Sequence, residues 1–429
     1  MISHGVGLGF ALPTEQALGE QDGRVRIAFV ASSVPRRCGI ATFTADLIAA
    51  VKAADPDARC VQAAIDEPNA ARAYGPEVKW RIRQGELATY REAGRAIEES
   101  GVEVVNLQHE FGLYGVHRDG TYEDHCVALL DELTKPVITT LHTVLPKPER
   151  WMRETLRNVA ERSTVVVVMA ETAARLLRDV YGIERAPVVI PHGMPAIVPR
   201  GRHRLKKQLG VEKRTILSTF GLVDPRKGLE YMIGAMPAIV ASHPDTLYLI
   251  VGQTHPELLR KEGERYRNEL VHEIERLGMA DHVRFVNQYL TQREIVDYLL
   301  ATDAYVTPYL DLNQITSGTL AYALGAGKAI VSTRYLHAAE ALADGRGLLV
   351  DSRDAVALAR AVLAILDDPA LKRELEQRAY EYGKEMAWPN VGRRVLALTR
   401  EVAAQPPEVR GQQLELEQQR SAEETEART

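Results

Sequence analysis

TILSTFGLVDPRKGLEYM, residues 215–232, runs from a short apolar, β-branched stretch through Gly221 and the turn residues Asp224, Pro225 and Gly228 into an amphipathic helical pattern. The same order of strand, turn and helix occupies the chain before it. Strands are predicted at Val25–Val30, Cys60–Ile65, Val102–Leu107, Val137–Leu141, Thr164–Val168 and Val188–Ile190, with helices at Thr42–Ala53, Leu87–Ser100, Arg118–Leu133, Pro148–Glu161 and Ala173–Tyr181. At Thr215 the series restarts, with strands at Thr215–Leu222, Leu247–Val251, Val283–Val286, Ala304–Val306, Ala329–Val331 and Gly347–Val350. Alternation of this kind specifies parallel sheets built from βαβ units, and a restart specifies two of them.

The remaining arithmetic agrees. At roughly 150 residues per domain, 429 residues exceed one core. The expected divisions are a flexible N-terminus at 1–23, a first Rossmann-like domain at 24–195, a second at 196–385, a returning helix at 386–404 and a polar tail at 405–429. Apolar residues make up 45% and charged residues 26%, which excludes a disordered or fibrous chain. A net charge of -5 gives no electrostatic footprint for nucleic acid, so an anionic ligand must be held locally. Cys38, Cys60 and Cys126 are too few for a disulfide framework. The longest apolar runs, Val165–Ala170 and Ala361–Leu366, fall far short of the roughly 20 residues a membrane-spanning helix needs. The first 23 residues lack a basic residue ahead of their apolar part and make a poor signal peptide. A soluble, cytoplasmic location is expected.

In open parallel sheets ligands bind beyond the carboxyl ends of the strands, which singles out six segments. The turn around Cys38-Gly39-Ile40 would present amides at a helix start, where phosphate is favoured. It is not G-x-G-x-x-G, so a dinucleotide oxidoreductase loses its main support. Gln108, His109 and Glu110 follow one apolar run and His142 another, so the four would line one crevice. His192, in Pro191-His-Gly, would face an interdomain cleft. Arg226 and Lys227 are placed to hold phosphate at the start of the following helix. The segment TPYLDLNQITSGTLAYALGAGKAIVST, residues 307–333, opens a helix of small residues with a Ser-Gly-Thr turn that lets ligand oxygens approach. No spacing of His, Cys and carboxylates suits zinc, and no metal is expected.

In this order the segments resemble the retaining glycosyltransferases of family four, over roughly Arg24 to Leu398. Three motifs carry the likeness: Pro-His-Gly at the junction, the Gly-x5-Lys-Gly run from Gly221 to Gly228, and the helix ending in Gly-Ala-Gly-Lys-Ala-Ile-Val-Ser-Thr. The segment from Glu385 to Arg394 resembles the family's last helix. The resemblance implies the GT-B fold, two Rossmann-like domains facing a cleft, and metal-free transfer of a hexose from a nucleotide-sugar to an acceptor hydroxyl. It also implies His142, Lys227 and Arg226 as catalytic residues. Gly39, Ile40, Gly221, Gln314, Thr316, Ser317, Gly318, Thr319 and Tyr322 would bind the donor, and Gln108, His109, Glu110 and His192 the acceptor sugar. Three departures stand out. Leu222 replaces the family's arginine, Gln314 and Tyr322 replace its two glutamates, and Cys38-Gly39 replaces Gly-Gly. Loss of the ribose-binding glutamate leaves two alternatives beside the transferase: a phosphorylase using inorganic phosphate and sugar-1-phosphate, and a non-catalytic sugar- or nucleotide-binding protein. A homo-oligomer is compatible with all three.

Overall fold

The computed structural model describes residues 24–405 apart from 37, 69, 119 and 120. The expected flexible segment 1–23 and all of the expected tail beyond 405 lie outside the described residues. The chain divides into two units, one ending at Pro191 and resuming at Trp388, the other spanning His192–Ala387.

The first unit holds β1 (Arg26–Ala31), β2 (Arg59–Asp66), β3 (Val78–Arg83), β4 (Val104–His109), β5 (Gly115–Arg118), β6 (Thr121–Asp124), β7 (Val137–Leu141), β8 (Val165–Val168) and β9 (Val188–Val189). Seven of these form a parallel sheet in the order β3-β2-β1-β4-β7-β8-β9. Burial on both faces explains why β1 after Arg26 and β8 read as continuous apolar runs. The order reverses between β1 and β4, which is where such a sheet opens a binding crevice.

The second unit holds β10 (Thr215–Phe220), β11 (Thr246–Val251), β12 (Val283–Val286), β13 (Ala304–Thr307), β14 (Ala329–Thr333) and β15 (Leu348–Val350). Its parallel sheet has the order β12-β11-β10-β13-β14-β15, with the switch between β10 and β13. Adjacent strand residues feed separate cores. Ile216, Leu249 and Tyr305 pack on one face, and Leu217, Tyr248 and Val306 on the other.

Several boundaries differ from the sequence reading. The first junction falls at Pro191, not after residue 195, because Met194 is bound into the second unit: its amide donates to Met386 O at 2.9 Å, and it bridges to Ala387. The returning helix starts at Trp388, not 386, and Trp388 packs edge-on to Phe43 at 5.3 Å. The helix expected over Arg118–Leu133 is instead the antiparallel hairpin β5–β6 followed by a short helix at Cys126–Leu130. The sequence between the two strands is Asp119-Gly120, a standard hairpin signal that outweighs the weak helical pattern. Strand β3 was not anticipated. Its Lys79, Arg81 and Arg83 are exposed, as suits an edge strand, and they hide its apolar content.

The helix Trp388–Ala404 lies closely on Gly39–Ala54 because Gly392 has no side chain: a Cβ there would stand 2.5 Å from Ala50 O. Gly392→Ala is expected to force the two helices apart and to cost about 2 kcal/mol, the usual range for overpacking. Urea unfolding of the full chain checks this, and an unchanged midpoint would refute it.

Candidate functional site

The switch point of the second unit gathers most of the residues expected to bind phosphate. After β10, Asp224 caps a 3-10 turn at Pro225–Lys227 and takes Arg226 in a fork, with Nε to Oδ1 and Nη2 to Oδ2 both at 2.9 Å. Gly228 closes the turn with φ +59°, and a Cβ there would come 2.2 Å from Pro308 O. This seats the turn directly on the loop that follows β13, where Leu310 N donates to Arg226 O at 2.8 Å.

Lys227 therefore projects across Tyr309, its Nζ 3.8 Å from the ring centroid. Tyr309 stacks on Tyr335 at 5.2 Å and its hydroxyl lies 2.9 Å from Thr319 Oγ1, which in turn lies 3.1 Å from Ser317 Oγ. Ser317 caps the helix Gly318–Gly325 by accepting from Leu320 N. Gly221 approaches the same place, its missing Cβ 3.3 Å from Thr319 Cγ2. Gly221, Lys227, Ser317, Gly318 and Thr319 are thus brought together, with the start of the helix open to an anion.

Two imidazoles flank that helix start. His192 lies 3.2 Å from where a Gly318 Cβ would be, and its Nδ1 bonds Gly193 O at 2.7 Å. His337 Nδ1 accepts from Ser317 N at 2.9 Å. Burial holds each pKa down to about 4, so both rings are neutral at pH 7 and add no charge beside the helix dipole. His192, expected on the acceptor side, thus lies beside the helix start that also gathers Ser317 and Thr319.

Three expected donor residues stand somewhat apart. Gln314 turns its amide back to Thr316 O at 2.9 Å, so these two engage each other. Tyr322 lies one turn into the helix, its hydroxyl accepting from Gln292 at 3.0 Å and its ring edge-on to Phe220. Arg226, expected to join Lys227, is committed to Asp224 and largely exposed.

In the first unit a second constellation forms at the ends of β4 and β7. Gln108 is fully buried, its Nε2 donating to Asn106 Oδ1 at 2.5 Å and its Oε1 meeting His142 Nε2 at 2.8 Å. Since the amide nitrogen is committed to Asn106, Oε1 accepts and the proton on the His142 ring sits at Nε2. Phe43 meets the other side of the ring edge-on at 4.9 Å. Phe43 belongs to the helix Gly39–Ala54, where Cys38 Sγ accepts from Ala41 N as the N-cap and the space beside Gly39 is empty to 4 Å. The helix that Gly39 and Ile40 open thus reaches His142 through Phe43. Arg36 turns away to Ile65 O and Glu67.

His109 does not join them. Successive strand residues face opposite sides, and His109 is fully buried between Tyr114, stacked at 5.5 Å, and Phe111 at 5.2 Å, with neither ring nitrogen bonded. Burial presses its pKa to about 3, so the ring is an uncharged core aromatic. Glu110 ties the two strand ends, accepting from Thr143 Oγ1 at 2.7 Å and from Phe111 N at 3.1 Å. Burial raises its pKa against the effect of those bonds.

Two family models cover most of the chain: "Glycosyltransferase Family 4" over residues 37–196 and "Glycosyl transferases group 1" over 201–386. The chain belongs to glycosyltransferase family 4. A phosphatidyl-myo-inositol mannosyltransferase of Mycolicibacterium smegmatis is 26% identical over 319 residues, 74% of this chain and 75% of that protein. A D-inositol 3-phosphate glycosyltransferase of Streptomyces avermitilis is 25% identical, over 66% of this chain and 61% of that one. Among solved structures, the sucrose-phosphate synthase of Thermosynechococcus elongatus superposes with a TM-score of 0.69 at 19% identity, covering 89% of this chain and all of that one. Anabaena HepE in complex with UDP gives 0.67 at 18%, covering 86% and 98%. The two Rossmann-like halves are those of the GT-B fold, and the phosphorylase and non-catalytic alternatives are not favoured. Among the described residues no helix is long and apolar enough to cross a membrane.

Proposed function

We propose that this family 4 glycosyltransferase moves a hexose from a nucleotide-sugar to an acceptor hydroxyl, with retention at the anomeric carbon and without a metal ion. The observation that carries the reading is the Lys227 ammonium held over Tyr309 beside the Ser317–Thr319 helix start. A diphosphate seated there meets one positive charge and the amides of Gly318 and Thr319, which supplies the leaving-group stabilisation a metal gives elsewhere. The relatives named for mannosyl and glycosyl transfer, and the UDP complex of HepE, support a nucleotide-sugar donor. Gln314 and Tyr322 offer the sugar and ribose an amide and a phenol in place of carboxylates, while His142, its Nε2–H held by Gln108, borders the transferred sugar with the rest of its ring. Gly39 and Ile40 supply further amides for the donor phosphate, and Glu110 and His142 border the acceptor side.

Calorimetry with UDP, GDP, ADP and inorganic phosphate tests the donor. Saturable binding of one nucleoside diphosphate is expected, and silence from all three would refute the reading. Undiminished activity in EDTA and an α-linked product from an α-linked donor, read by NMR, test the remainder.

A pH dependence follows from Lys227, whose pKa burial lowers to about 8. The ammonium is charged below that value and neutral above it. Nucleoside diphosphate affinity should be flat from pH 6 to 7.5 and fall by about tenfold per unit above pH 8, until bound anion rescues the charge. Calorimetry across that range checks it, and an affinity unchanged at pH 9.5 would remove Lys227 from the phosphate.

A further inference from the structure

A second basic site lies at the amino ends of β13 and β14, the edge of the sheet opposite to Lys227. A cavity of about 300 Å³ opens there, lined by Arg200, Arg202, Lys328, Glu376 and Tyr380 among others. Lys328 is 1% exposed and makes one hydrogen bond, from Nζ to Thr302 O at 3.1 Å. An ammonium has three donors, so two are left without a partner among the described residues.

The neighbouring charges leave an excess of positive sign. Asp303 is already shared among Lys206 at 2.5 Å, Lys372 at 3.4 Å and Arg202 at 3.7 Å, and it also accepts from Ile216 N. Glu376 is taken by Arg202 at 2.6 Å. Arg202, Lys206 and Lys372 thus share two carboxylates, and Arg200 and Lys328 line the same cavity with no carboxylate bonded to them among the described residues. Burial and the adjacent Arg202 and Lys372 lower the Lys328 pKa to about 7 against the pull of Glu376 and Asp303. A buried ammonium short of both hydrogen bonds and counter-charge is a poor structural element and a good anion receptor.

We propose that this cavity binds a small phosphomonoester of sugar-phosphate size, at a site separate from the one that holds the donor. A phosphomonoester supplies close to two negative charges and three acceptor oxygens for the basic residues that line the cavity, Arg200, Arg202 and Lys328. The volume exceeds what bare phosphate fills, and Gln377 and Tyr380 provide polar wall for hydroxyls. Lys328 follows directly on the helix Gly318–Gly325, so the two sites lie at the two ends of one short helix.

Glucose 6-phosphate and mannose 6-phosphate are the probes, titrated calorimetrically into the full chain at pH 7, with inorganic phosphate and glucose as controls. Saturable binding is expected for at least one ester and at least tenfold weaker binding for phosphate. Lys227→Ala should leave that affinity within twofold, and Arg200→Glu, at an exposed position, should weaken it at least tenfold while leaving nucleoside diphosphate binding unchanged. Lys328→Met should abolish it. Absence of saturable binding by either ester, loss of it in Lys227→Ala, or wild-type affinity in Arg200→Glu would overturn the assignment. Nucleotide binding is read separately, so failure of the donor reading leaves this result interpretable.

Discussion

In the Lys227→Ala variant kcat is expected to fall by a factor of about 10³, the loss typical when one preorganised charge at a developing anion is removed. The geometry explains why this residue and not its neighbour carries the effect. Arg226 is neutralised by the two-pronged bond to Asp224 and stands mostly in solvent, where it is screened. Among the described residues no carboxylate is bonded to Lys227; its contact is the face of Tyr309, which leaves the donors directed away from the ring for a ligand. Charge on the departing diphosphate grows in the transition state, so the ammonium acts more strongly there than on bound donor, and kcat should drop further than affinity. Steady-state kinetics with calorimetric binding of the nucleoside diphosphate separate the two. Lys227→Arg, which restores charge with a different reach, should recover part of the rate. A Lys227→Ala enzyme within fivefold of wild type, folded by circular dichroism, would remove Lys227 from the chemistry.

The fold was legible where burial is two-sided. Strands such as Val165–Val168 and Thr215–Phe220 sit deep in parallel sheets and therefore announce themselves as apolar runs between turns. Where one face meets solvent the signal thinned, and β3 with its alternating Lys79, Arg81 and Arg83 escaped notice. For the site, sequence supplied the residues on the strand-end turns but not their directions. His109 and Gln108 are neighbours in sequence with opposite destinations, one sealed among aromatics and the other bonded to His142. Tyr309 lies inside the quoted segment 307–333, and its position just past β13 at the switch point was a usable cue; the cation–π seat it gives Lys227 was not. His337 comes from a different helix, 20 residues from the Ser317 amide it accepts, and nothing local in the sequence ties the two. Asp224 could have been found, because Asp-Pro opening a turn before two basic residues is a capping pattern, and recognising it would have set Arg226 apart from Lys227.

His142→Ala is expected to lower kcat by about 10²-fold while leaving nucleoside diphosphate affinity within about twofold, since the imidazole belongs to the first unit and the phosphate constellation to the second. Its ring is held on two sides, by Gln108 Oε1 at Nε2 and by the edge of Phe43, and its backbone amide is fixed to His109 O at 3.1 Å. Such fixation is costly for a ring that merely fills space, because it removes both rotamer freedom and hydration. Gln108 is the positioning residue in this pair. With its nitrogen spent on Asn106 it can only accept, which holds the proton at Nε2. Gln108→Leu should therefore reproduce much of the loss in kcat without touching the substrate. The Gln108→Leu, His142→Ala double variant should be little slower than His142→Ala alone, as expected for residues acting in series. Additive losses in the double variant would mean that Gln108 works by another route. Equal losses of kcat and nucleotide affinity in His142→Ala would make the histidine a structural brace between β7 and the helix Gly39–Ala54.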